Sequence, residues 1–157
     1  LNNRLNLVLH NPEIPQNTGN IIRLCQNTGS DLHLIKPLGF NFQNKNLKRA
    51  SMDYLDNDAL IIHNSFEHFI ETESPKRLFA IDTFGDQYYS DQQYYDDDYF
   101  LFGSEGSGLP KRIYEHKSIT SRIKIPMVKE SRSLNLSNAA AVILYEGLRQ
   151  TGFQNLK

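Results

Sequence analysis

LNLVLHNPEIPQNTGNIIRLCQNTGSDLHLI, residues 5–35, runs from a short apolar segment through a polar, proline-bearing turn and a helical pattern into a second apolar segment. Residues 5–9 and 32–35 have the length and composition of buried strands. Between them, Ile21, Ile22, Leu24 and Cys25 share one helical face, which Asn17 or Thr18 can cap and Gly29 can end.

The same alternation continues outward. Apolar runs at 59–62, 78–81, 99–102 and 122–125 read as strands, and helical patterns lie at 46–55, 65–72, 110–116 and about 136–151. Strands alternating with helices predict an α/β fold, with a mostly parallel sheet flanked by helices. A length of 157 residues suits one domain, 1–157, without repeats, low-complexity tracts or linkers. No apolar run reaches the roughly 18 residues of a membrane span, and the polar start LNNRLNLVLHNPE is unlike a signal peptide. A cytoplasmic protein with no membrane association is expected. Cys25 is the only cysteine, which excludes an intrachain disulfide and a cysteine-rich metal site and suits a small buried apolar group.

A net charge of −1 conceals segregation: residues 1–52 carry +4, residues 53–105 carry −11 and residues 106–157 carry +6. Folding could bring the two basic thirds into one positive face suited to neutralising phosphates, or leave them as ordinary solvated surfaces. Asp96, Asp97 and Asp98 read as an exposed loop before a strand, because adjacent carboxylates point in different directions. His10, His33, His63, His68 and His116 have neither a local nucleophile partner nor metal-ligand spacing and read as surface or capping residues.

Three polar clusters follow expected strands, where α/β sheets bind ligands. His10 to Asn20 combines two prolines with several amides and precedes Arg23. Residues 102–110, FGSEGSGLP, hold three glycines that allow close backbone approach, with Glu105 the sole ionisable group. They lack the Gly-Lys-Ser/Thr ending of a P-loop and the spacing of a dinucleotide fingerprint, which argues against a nucleotide triphosphatase. The third cluster lies in IPMVKESRSLNLSNAAAVILYE, residues 125–146, where no charge intervenes between Arg132 and Glu146. Ser133, Asn135, Ser137 and Asn138 there either cap a helix or, with its free N–H groups, hold a ligand.

Taken in order, NPEIPQNTGNIIRLCQNTG (11–29), LFGSEGSGLP (101–110) and IPMVKESRSLNLSNAAAVILYEGLRQTGF (125–153) resemble the three motifs of the SPOUT class of RNA methyltransferases. The likeness extends through KPLGF (36–40) and LKRASMDY (47–54), narrowing it to the minimal tRNA wobble-nucleotide 2'-O-methyltransferase (TrmL) family. That resemblance implies a SPOUT (alpha/beta knot) fold with a C-terminal trefoil knot, no separate RNA-binding domain, a homodimer, tRNA as partner and no metal. It also implies S-adenosyl-L-methionine as methyl donor, with S-adenosyl-L-homocysteine as product.

Carried onto this chain, the resemblance places the cofactor against Ile81, Gly103, Ile125, Ser133 and Leu134, and sets Asn17, Arg23, Glu105 and Asn135 around the reacting ribose. Relatives have been assigned an arginine, here Arg23, as base. A guanidinium hardly ever deprotonates in proteins, so Arg23 is read as holding the phosphate or the developing alkoxide. Lys36, Lys45, Lys48, Arg49 and Arg132 become candidate RNA contacts, with Lys111 and Arg112 as additions. The long last helix, with Ala139, Ala140, Ala141 and Tyr145, could serve as dimer surface or as core. Residues 105–108 lack the arginine that some members carry there. Methylation of another RNA, or RNA binding without catalysis, are the competing readings.

Overall fold

The structure is a computed structural model that describes residues 3–52 and 59–157. Its strands are β1 (Asn6–His10), β2 (Asp31–Ile35), β3 (Leu60–His63), β4 (Leu78–Ile81), β5 (Gln87–Tyr88), β6 (Tyr99–Phe102) and β7 (Ser121–Lys124). The helices are α1 (Pro15–Thr28), α2 (Lys45–Ser51), α3 (Phe66–Glu73), α4 (Lys111–Tyr114) and α5 (Leu136–Gln150). The strands form one sheet in the order β3-β2-β1-β6-β4-β7-β5, and every pairing is parallel. The six expected strands are present, and β5, a two-residue edge strand, adds a seventh that is too short for a sequence pattern to reveal.

Parallel strands buried on both faces need apolar residues in both directions, and the period-2 geometry of a strand sorts them. Leu7, Leu9, Leu32, Leu34, Phe79, Phe100 and Phe102 enter one core with Ile21, Ile22 and Cys25 of α1 and Ile143 and Leu144 of α5. Val8, Ile35, Leu78, Tyr99 and Leu101 enter a second core with Phe66 and Phe69 of α3 and Ile113 of α4. The molecule is therefore a three-layer α/β/α sandwich. Cys25 is buried as expected, and burial raises its thiol pKa and keeps it neutral.

Helix α1 starts earlier than expected. Pro15 occupies its first turn, Ile14 is the N-cap residue without a side-chain cap, and Asn17 and Thr18 lie inside the helix. Its stop is as read, with Gly29 in the left-handed conformation at φ 66°. Helix α2 ends at Ser51 with Met52 at positive φ; the rest of the helix expected at 46–55, and Asp53 and Tyr54 of the matching segment, lie outside the described residues.

Two readings of polar residues are corrected. Asp98 is buried, not part of an exposed loop: its carboxylate accepts the Tyr95 N–H at 2.8 Å and lies 3.0 Å from Arg77 Nε. Burial still raises its pKa despite these partners. His10, His33 and His63 are buried too: His10 and His33 sit on strands covered on both faces, and His63, at the end of edge strand β3, is packed against Phe69 of α3. Among the described residues, no helix is long and apolar enough to cross a membrane.

Candidate active site

Three adjacent strands end at one cavity of about 730 Å³, within the usual range for small-molecule sites. Ile81 is the last residue of β4, Phe102 the last of β6, and Ile125 follows β7 directly. The cavity thus lies beyond the carboxyl edge of the sheet. All five residues expected at the cofactor line it: Ile81, Gly103, Ile125, Ser133 and Leu134. Gly103 can be nothing larger, because a Cβ there would come within 2.2 Å of the Gly108 carbonyl carbon, where the loop folds back on its own start.

Asn17, Glu105 and Asn135 also line the cavity, and a hydrogen-bonded chain ties them together. Glu105 Oε1 accepts the Glu13 N–H at 2.8 Å, and Oε2 accepts the Ile14 N–H at 2.9 Å and Asn17 Nδ2 at 3.2 Å. The carboxylate therefore supplies, from 91 residues away, the cap that α1 lacks locally. Asn17 Oδ1 in turn accepts from Asn135 Nδ2 at 3.1 Å. Asn135 caps α5, its Oδ1 accepting the Asn138 N–H at 3.1 Å and the Ser137 hydroxyl at 2.7 Å. The cap reading is borne out, and the same residue also forms part of the cavity wall.

Arg23 is exposed on α1 and is not among the residues lining the cavity. Of the expected RNA contacts, Arg132 lines the cavity, whereas Lys36 follows β2 and Lys45, Lys48 and Arg49 lie on α2, all exposed. Lys48 Nζ donates to Gln43 Oε1 at 3.1 Å.

Several lining residues were missed from the sequence. Asp82 follows β4 immediately and pairs with Arg122 of β7, whose guanidinium carbon stacks 4.0 Å from the centre of the Tyr114 ring. Phe84, 80% exposed, stands on the cavity wall. The position of Asp82 at a strand end was a usable signal; the Arg122 pairing arises only when β7 inserts beside β4.

The profile of the SpoU rRNA Methylase family matches residues 4–145, spanning all three polar clusters that meet at the cavity. The chain belongs to the SpoU rRNA methylase family. It is 50% identical over 149 residues to the tRNA (cytidine(34)-2'-O)-methyltransferase of Escherichia coli strain K12, covering 95% of each chain. A solved structure concerned with 2-OH methylation of C/U34 on tRNA superposes with a TM-score of 0.88 at 42% identity, over 94% of this chain and 96% of that one. The SpoU methyltransferase AviRb of Streptomyces viridochromogenes, in complex with the cofactor AdoMet, gives a TM-score of 0.84 at 25% identity, over 96% of this chain and 61% of that one.

Proposed function

We propose that this SpoU-family chain transfers a methyl group from S-adenosylmethionine to the ribose 2'-hydroxyl of the wobble nucleotide of tRNA. We further infer that it acts in the cytoplasm as a homodimer without a metal ion. The observation that carries this reading is the convergence of three sequence-distant motifs on one strand-end cavity, in a chain half identical to an enzyme of that activity. The donor set fits the cofactor: Ile81, Ile125 and Leu134 offer apolar walls to an adenine ring, while loop backbone and Ser133 offer polar groups to its edge and to the amino-acid moiety.

When bound, S-adenosylmethionine supplies a methyl on a sulfonium; the new O–C bond forms as the C–S bond breaks, leaving a neutral thioether and releasing the hydroxyl proton. The protein's part is chiefly alignment. Glu105 is engaged by two backbone N–H groups and Asn17, which makes it an organiser of the α1 entry and not a free base. Asn17 and Asn135 present fixed amides beside the cavity. Arg23, outside that wall, is assigned to the RNA phosphate or the developing alkoxide, with the proton passing to water or a neighbouring group. Lys36, Lys45, Lys48, Arg49 and Arg132 are assigned to RNA phosphates, and a single-stranded anticodon loop would expose its ribose at low cost.

Val142 and Tyr145 form an exposed apolar strip on α5, opposite its buried Ala140, Ile143 and Leu144, and support a dimer surface there. The C-terminal knot belongs to this proposal as well, supported by β7 inserting between β4 and β5 while α5 packs back on α1.

Mapping 2'-O-methylation in tRNA from cells with and without this protein tests the assignment. Loss of the mark at the wobble position is expected, and an unchanged wobble ribose sinks it. Calorimetry with S-adenosylhomocysteine separates the enzyme from a pure RNA binder, which gives no heat. A base role for Arg23 would return if the rate at saturating substrates rose with pH through an ionisation that disappears in Arg23→Lys.

A further inference from the structure

We propose that Glu13 is a positioning residue for the cofactor, holding the 103–108 loop in its binding shape through the Gly106 N–H. The proposal rests on the methyltransferase reading above and assigns a role to a residue outside the lining of the cavity.

Glu13 and Glu105 exchange backbone groups. While Glu105 accepts from the Glu13 and Ile14 N–H groups, Glu13 Oε1 accepts the Gly106 N–H at 3.0 Å. Two loops more than ninety residues apart are thereby clasped from both sides, each by a carboxylate of the other. Within the loop itself the restraints are the Gly108 N–H to Ser104 carbonyl bond at 3.0 Å, a Ser104–Ser107 hydroxyl contact at 2.9 Å and the Ser107 N–H to Ser104 Oγ bond at 3.4 Å, none of which engages the Gly106 N–H. Gly106 is exposed, so without the Glu13 carboxylate its N–H faces water and the loop is held to the turn before α1 from the Glu105 side alone.

Glu13 is itself held from behind. The Gly39 N–H donates to the Pro12 carbonyl at 2.9 Å, and a Cβ at Gly39 would meet the Glu13 carbonyl oxygen at 2.6 Å and its Cα at 2.7 Å. The turn after β2, which begins at the exposed Lys36, thus presses on the residue that anchors the cavity loop. A shift of Gly39 would reach the cavity through the Glu13 backbone, and so through both the Glu13 carboxylate and the Glu105 bonds to the Glu13 and Ile14 N–H groups.

The test compares Glu13→Ala, Glu13→Gln and Gly39→Ala with the wild type by calorimetry with S-adenosylhomocysteine and by NMR amide exchange at Gly106, with thermal unfolding as control. Glu13 is exposed, so its variants should melt close to wild type. Glu13→Ala is expected to raise Kd about tenfold and abolish Gly106 protection, while Glu13→Gln, which keeps an acceptor oxygen, stays within about threefold. Gly39→Ala is expected to weaken binding in the same direction as Glu13→Ala. Wild-type affinity in Glu13→Ala, or unchanged Gly106 protection, overturns the proposal. If the wild type itself gives no heat, the cofactor reading fails instead, and the Gly106 comparison still decides whether Glu13 holds the loop.

Discussion

Two polar networks sit on this sheet and obey opposite rules. At the carboxyl edge, Glu13, Glu105, Asn17 and Asn135 are joined by bonds of 2.8–3.2 Å in partly open surroundings. Beneath α3, on the other face, His33 Nδ1 lies 3.0 Å from His63 Nε2, and Tyr99 donates to Glu73 Oε1 at 3.2 Å. Aromatic rings surround that pair, with Phe69 edge-on to both imidazoles. Among the described residues, His33 Nε2 and His63 Nδ1 have no hydrogen-bond partner. The ring atoms and Glu73 lie within 4.8 Å of one another, and the 3.0 Å contact between the imidazoles has the length of a hydrogen bond. One network ties together the loops around a cavity; the other is enclosed by aromatic packing.

Removing that packing should give the largest effect. Phe69 is fully buried, and Phe69→Ala should cost about 3–5 kcal/mol of stability while leaving the affinity of the remaining folded protein for S-adenosylhomocysteine unchanged. Urea unfolding and calorimetry measure the two quantities, and a parallel loss of affinity would mean that the two faces are not independent.

Acid should act on the same cluster. Burial, with the neighbouring His63, pushes the His33 pKa down to about 3, and burial lowers that of His63 as well. Above an unfolded-state pKa of about 6.5 both states are neutral and the stability is intact. As pH falls below that value the unfolded chain takes up a proton that the folded chain refuses until about 3, so stability declines, by up to about 1.4 kcal/mol per pH unit for one group. His33→Gln should flatten the decline between pH 6.5 and 4, and an identical slope in the variant would remove His33 from the account.

At the carboxyl edge the order reverses, with function more sensitive than stability. Glu105→Ala strands two backbone N–H groups and Asn17 Nδ2, and should lower kcat/KM by about 100-fold, roughly the penalty of a misplaced catalytic group, while costing about 1 kcal/mol as a lost cap. Steady-state kinetics beside urea unfolding would expose the opposite ranking.

The difference between the networks also explains what the sequence could reveal. The alternation of strands and helices, the Gly29 stop and the three strand-end clusters were readable because each depends on residues close in the chain. The α1 cap was not, since it comes from Glu105 and no local Ser, Thr, Asn or Asp serves. His33 and His63 were misread for a related reason. Parallel pairing of β2 with β3 and cover by α3 make them neighbours, and neither fact can be seen at thirty residues' separation. The SPOUT resemblance named Ile81, Gly103, Ile125, Ser133 and Leu134 together, and all five line one cavity; it set Arg23 near the ribose, and Arg23 lies outside that lining.

The smallest expected change is the most discriminating, because Asn135 has two separable duties within the carboxyl-edge network. Its Oδ1 caps α5, a structural duty, while its Nδ2 reaches Asn17, the link that orders the cavity. Asn135→Asp keeps the capping oxygen and adds a charge that the helix N-terminus favours, so stability should stay within about 0.5 kcal/mol of wild type. It also replaces the Nδ2 donor with an acceptor facing Asn17 Oδ1, so the link must break or Asn17 must turn, and activity should fall while the helix stands. Asn135→Ala should instead lose about 1 kcal/mol of stability along with activity. If Asp and Ala variants lose activity and stability in the same proportion, the α5 cap and the cavity wall are one structural unit, and the claim that function outruns stability at the carboxyl edge fails at this residue.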